Sequence, residues 1–94
     1  RTAASRQIKL INKFTEEMAS NGIAVKGFET YIGDADTLYH MGYAYSRMAK
    51  LYPEEAKGLT IAYSYTKDDD VYVWFDYQTK TIHFSKTKFK KSYY

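Results

Sequence analysis

The chain has 94 residues, 45% hydrophobic and 27% charged, the size and balance of one globular α+β-sized domain (residues 1–94) rather than of a disordered segment. It has no cysteine and only two histidines, which removes disulfide frameworks, thiolate metal sites and cysteine nucleophiles and leaves little imidazole for a metal centre or triad. The net charge of +3 is uneven: residues 1–58 hold 8 basic against 7 acidic side chains and residues 59–85 are acidic on balance, whereas residues 86–94 carry Lys86, Lys88, Lys90 and Lys91 with no acid, so a near-neutral body argues against a broad phosphate-binding face.

Thr2 to Ser20 reads as a helix whose face Ala4, Ile8, Ile11, Thr15 and Met18 repeats at helical spacing, with Phe14 at its flank and Leu10 on the solvent side. Asn21-Gly22 is a stop signal, because both residues tolerate the left-handed conformation of a helix end. Residues 22–33 contain three glycines and predict only short extended pieces at Ile23–Val25 and Phe28–Ile32. Asp34 to Tyr52 reads as a second helix, capped by Asp34 or Asp36, with Leu38, Met41, Tyr45, Met48 and Tyr52 as its buried stripe. Ala35, Gly42 and Ala49 form a line of small residues on that helix, the place where the first helix approaches closely. Pro53 ends the helix or starts one further turn closed by Gly58.

From Leu59 the period changes to two. Residues 59–65, 71–77 and 81–85 alternate apolar and polar side chains and predict three strands of a meander. Residues 86–94 continue the alternation loosely as a basic terminal strand. The expected fold is α+β: two N-terminal helices on one face of a three- to four-stranded antiparallel meander, in the order α-(β)-α-β-β-β.

Two helices cover one face of such a sheet, so the alternation predicts what the other face carries. Pairing Tyr65 with Val71 sets Ala62 opposite Trp74 and Ser64 opposite Tyr72, and keeping Phe75 and Ile82 in the core sets Trp74 opposite His83. The expected free face is therefore a Tyr72–Trp74–His83 cluster, open to a partner group, to a second copy of the chain, or to the C-terminal segment Phe89, Tyr93 and Tyr94 folding back. A second candidate surface is the outer side of the second helix, where Tyr39, Tyr43 and Arg47 stand in line with His40 and Lys50 beside them; Tyr and Arg dominate interface energetics. Lys86, Lys88 and Lys90 of the terminal strand would point one way and, with Lys91, form a strip for phosphates or a charged guard on a sheet edge.

Signs of catalysis are weak. A Ser–His–acid set would need His83 beside Ser64 or Ser85 with Asp76 behind, all on one flat face without oxyanion donors. Asp68, Asp69 and Asp70 lack the ligand spacing of a calcium loop, and the scattered glycines form no phosphate cradle. Gly22-Ile23-Ala24 and Tyr31-Ile32-Gly33 resemble the paired motifs of the GIY-YIG nuclease family over about a dozen residues. Ala24 stands where that family has its tyrosine, and Arg47 falls further downstream than its arginine. No glutamate matches the metal ligand, so the resemblance implies no activity here.

The function expected from the sequence is a small non-enzymatic interaction module without cofactor or metal: an inhibitor, adaptor or accessory protein of the kind mobile genetic elements encode. Its partner would be a macromolecule, first a protein, met through Tyr72, Trp74, His83, Tyr39, Tyr43 and Arg47. The alternative is a nucleic-acid-binding domain using the sheet aromatics for stacking and the terminal lysines for phosphates. No apolar run approaches the roughly 20 residues of a spanning helix and no leader pattern is visible. With no cysteine, the expected location is the cytoplasm.

Overall fold

A computed structural model describes residues 5–68 and 70–90. Helix α1 (Ser5–Ser20) buries Ile11, Phe14 and Met18. The buried stripe is rotated from the expected one: Ile8 and Thr15 are exposed, Leu10 is half-buried against the core, and Phe14 is a central residue. The rotation follows from Phe14, whose ring meets Phe28 at 5.2 Å and so pulls its side of the helix inward. The helix ends as the Asn21-Gly22 pair requires: Gly22 has φ 77° and Ile23 N–H returns to the Met18 carbonyl at 2.9 Å.

The glycine-rich stretch resolves into strand β1 (Ala24–Lys26) and a single 3-10 turn (Phe28–Thr30). Gly27 joins them at φ 79°, where any Cβ would lie 2.5 Å from the Tyr63 carbonyl oxygen. Helix α2 (Ala35–Leu51) starts behind Asp34, and the Tyr31 hydroxyl donates to the Asp34 carbonyl at 2.8 Å. It buries Leu38, Met41, Gly42, Ser46 and Ala49, while Tyr45 and Met48 are half-buried and Tyr52, expected inside, is exposed. Gly42 and Ala49 take the place Tyr52 was given because α1 crosses there: a Cβ on Gly42 would stand 2.7 Å from Glu17 Oε1 and 3.5 Å from the Phe14 ring. Asn21 fastens the crossing by donating to Ser46 Oγ at 3.2 Å. A short helix α3 (Pro53–Ala56) follows with Pro53 in its first turn, and Gly58 at φ 76° turns the chain into the sheet.

Strands β2 (Thr60–Ser64), β3 (Val73–Asp76) and β4 (Thr81–Ser85) occur where the alternation predicts them, but their arrangement does not. The sheet is mixed, in the order β1-β2-β4-β3, with β1 parallel to β2, β2 parallel to β4 and only β3–β4 antiparallel. The antiparallel meander is thus corrected to a sheet in which β4 is inserted between β2 and β3. The connection from β2 to β3, residues 65–72, is longer than the two to five residues or so of a hairpin loop and carries the chain past the β4 position to the far edge. Alternation decides which face a side chain meets and carries no information on which strand lies next door.

Both helices lie on the face of Ile61, Tyr63 and Phe84. The core there is aromatic: Phe28 stacks on Tyr63 at 5.3 Å, and Tyr31 meets Tyr63 edge-on at 5.2 Å. Burial raises the pKa of the Tyr31, Tyr45 and Tyr63 phenols, with neighbouring charge adding to the effect at Tyr31. The segment after β4 is a turn over residues 86–88, not a continued strand, and Phe89 packs on Phe84 at 5.2 Å while its carbonyl accepts from the Tyr63 hydroxyl. Tyr93 and Tyr94 lie outside the described residues. No helix among the described residues is long and apolar enough to cross a membrane.

Two stability effects follow. Gly27→Ala is expected to cost more than about 2 kcal/mol in urea unfolding, because it adds a backbone clash to left-handed strain; Gly22→Ala, with the same φ but open space, should cost only about 1–2 kcal/mol. Phenols with raised folded-state pKa values lose their proton in the unfolded chain first. Unfolding free energy should therefore hold up to the ordinary phenol value of 10.0 and fall steadily above it, with Tyr63→Phe flattening the slope.

Candidate functional site

The face turned away from the helices is organised by register. Lys26 pairs with Ala62, Ala62 with His83, and His83 with Trp74, so these four residues form one row across all four strands. Ala62 therefore faces His83 and not Trp74, and Ser64 faces Ser85 and not Tyr72; the expected opposition of Trp74 and His83 is present. The small Ala62 is the floor of an open depression of about 320 Å³ bordered by Lys26, Ser64, Asp76, Thr81 and His83.

His83 is the fixed point of this surface. Its ring lies flat on the Trp74 indole, centroids 4.7 Å apart and planes 7° from parallel, and its Nδ1 is 2.7 Å from Ser64 Oγ. Ser64 reaches it because β2 and β4 run in parallel register and place position 64 diagonally from position 83. Both rings are half-buried, so the indole offers one face and an edge rather than standing free. Tyr72 does not complete the cluster: it precedes β3, meets Phe89 edge-on at 6.3 Å, and has the Lys88 ammonium 5.0 Å from its ring centroid. The segment after β4 turns to the helix side of the sheet through Phe89, so Phe89 does not cover Trp74.

Asp76 borders the same depression, but its Oδ1 accepts from the Gln78 and Thr79 backbone N–H groups at 3.0 and 3.4 Å and so closes the β3–β4 turn. Both central strands are laddered on two sides, β2 over Thr60–Ala62 and β4 over Thr81–Phe84. Among the described residues no three His, Cys, Asp or Glu side chains converge as a metal-binding group.

The outer side of α2 is the second surface. Tyr39 and Tyr43 are 66% and 59% exposed, His40 and Arg47 are exposed, and the Tyr39 and His40 rings meet edge-on at 5.9 Å. Tyr39, Tyr43 and Arg47 recur at four-residue intervals and so stand one above another along the helix. The lysines are dispersed. Lys86 lies 5.7 Å from the Tyr63 ring centroid, Lys88 lies over Tyr72, Lys90 is exposed, and Lys91 lies outside the described residues. The turn over residues 86–88 removes the one-sided strip expected of a strand.

Lys26 and Thr81 belong to the depression yet were invisible as candidates. Their only sequence signal is parity within short strands, and parity has no meaning until the neighbour and register are known. Tyr31, from the segment resembling a nuclease motif, is buried and donates to the Asp34 carbonyl. Comparison with known proteins finds no matching family model, no curated relative and no solved structure of significant similarity. His83→Ala should uncover the indole: Trp74 fluorescence is expected to shift to the red, with a loss of about 0.5–1.5 kcal/mol for the aromatic pair, and an unmoved spectrum would mean the rings do not stack in solution.

Proposed function

We propose that this chain is a small non-enzymatic interaction module that docks on a protein partner through exposed aromatic side chains, of the inhibitor, adaptor or accessory type. One observation carries the reading: Tyr39, Tyr43 and Arg47 form an exposed line on the outer face of α2, over a helix already anchored from behind by Gly42, Ser46 and Ala49. Tyrosine gives large contact area at low entropy cost, and arginine adds a planar donor set. Lys50 continues the line, so the partner is expected to present an apolar patch with carboxylates at the end that meets Arg47 and Lys50. The Trp74–His83 pair with its depression is an auxiliary contact. The nucleic-acid alternative has less support, because Lys86 and Lys88 lie over rings of this same chain and Trp74 has one ring face occupied by His83.

Affinity capture from the native host with and without nuclease, followed by titration of the identified partner, tests the reading. Tyr43→Ala and Arg47→Ala should each weaken binding by about 2 kcal/mol or more, with fold stability within about 0.5 kcal/mol of the parent. Capture abolished by nuclease, with affinity falling steeply as salt rises, would instead establish nucleic-acid binding. Unchanged affinity in both variants would remove α2 as the contact.

A further inference from the structure

We infer that the β3 edge of the sheet pairs antiparallel with the same edge of a second copy of this chain, making one continuous eight-stranded sheet. The backbone supplies the first reason. Ser85 N–H bonds to the Tyr72 carbonyl at 2.9 Å, so in the antiparallel β3–β4 ladder positions 72, 74 and 76 turn their polar groups toward β4. Val73 and Phe75 therefore turn theirs outward along the open edge.

The side chains supply the second reason. Natural edge strands carry lysine, proline or a bulge to prevent association. This edge strand reads Val73-Trp74-Phe75-Asp76, with its one charge at the last position, where the backbone groups face β4, and Val73 and Phe75 are 45% and 39% exposed beyond the reach of the helix layer. Tyr77 extends the apolar surface by meeting Phe75 edge-on at 4.8 Å.

Self-complementarity selects a second copy rather than a foreign strand. Outward-facing positions must oppose one another, and pairing centred on Trp74 sets Val73 against Phe75 of the second copy on both sides of the axis, while Val71, whose N–H is donated to the Asp68 carbonyl, stays outside the ladder. The two-fold axis passes through a Trp74–Trp74 pair on the open face. Growth stops at two, because the opposite edge is the three-residue β1, which bears Lys26 and ends at Gly27 in the left-handed conformation. The α2 line stays free in both copies, so the dimer and the proposed docking surface are tested independently.

Sedimentation velocity across the concentration range of an NMR sample should show a monomer–dimer equilibrium. Val73→Pro removes an outward N–H that the β3–β4 ladder does not use, so it should give monomer with an unchanged circular dichroism spectrum; Phe75→Lys is the second disrupting variant, and Tyr43→Lys on α2 should remain dimeric. The chain has no native cysteine, so register is read by cross-linking. Trp74→Cys should form an intermolecular disulfide on mild oxidation, since a non-hydrogen-bonded pair holds its Cα atoms about 4.5 Å apart. Tyr72→Cys should not, its mate being about 13 Å away along the strand. A wild-type chain that stays monomeric, a dimer that survives both edge variants, or cross-linking at position 72 instead of 74 overturns the inference.

Discussion

The parallel ladder between β2 and β4 holds the rest of the molecule in place. Tyr63 lies opposite Phe84 and Ile61 opposite Ile82, which gives the helices a single apolar floor. On the reverse side the same register sets Ala62 against His83 and brings Ser64 within hydrogen-bonding distance of the imidazole. By taking the seat beside β2, β4 also leaves β3 at the margin, with one set of backbone groups unpaired. A parallel neighbour satisfies its amides as fully as an antiparallel one, and the long connection over residues 65–72 makes the crossing sterically easy.

Tyrosine does two kinds of work here. Tyr31 and Tyr63 are nearly sealed, each with its hydroxyl given to a backbone carbonyl, so their rings fill the core without stranding a polar group. Tyr39, Tyr43 and Tyr77 are exposed. The buried set ties the 3-10 turn, β2 and the segment after β4 into one cluster, and that cluster is also where high pH acts. The exposed set lies on α2 and along the β3 margin, the two surfaces on which a partner and a second copy are proposed to sit.

The Ser64–His83 contact pairs a hydroxyl with an imidazole on the open face of the sheet. Asp76 Oδ1 is committed to the turn it closes. Within this surface the hydrogen bond orients the imidazole, and the oriented imidazole stacks parallel to the indole. That arrangement fixes the orientation of Trp74 on the face turned away from the helices.

Sequence alone determined the elements and many of their faces, though the buried stripe of α1 is rotated from the expected one and Tyr52 and Phe75, expected inside, are exposed. Helical spacing placed α1 and α2, Asn21-Gly22 and Gly58 marked turns, and period two assigned Ile61, Tyr63 and Phe84 to the inside and Trp74 and His83 to the outside. The small-residue line led to the close helix crossing at Gly42. These features are local, set by backbone sterics and side-chain periodicity within a few residues. Strand order, the parallel pairing, the row from Lys26 to Trp74, the departure of Tyr72 from its expected cluster and the bared β3 edge were decided by tertiary structure. Each depends on which segments far apart in the chain become neighbours, and a period of two is satisfied equally well by every such choice.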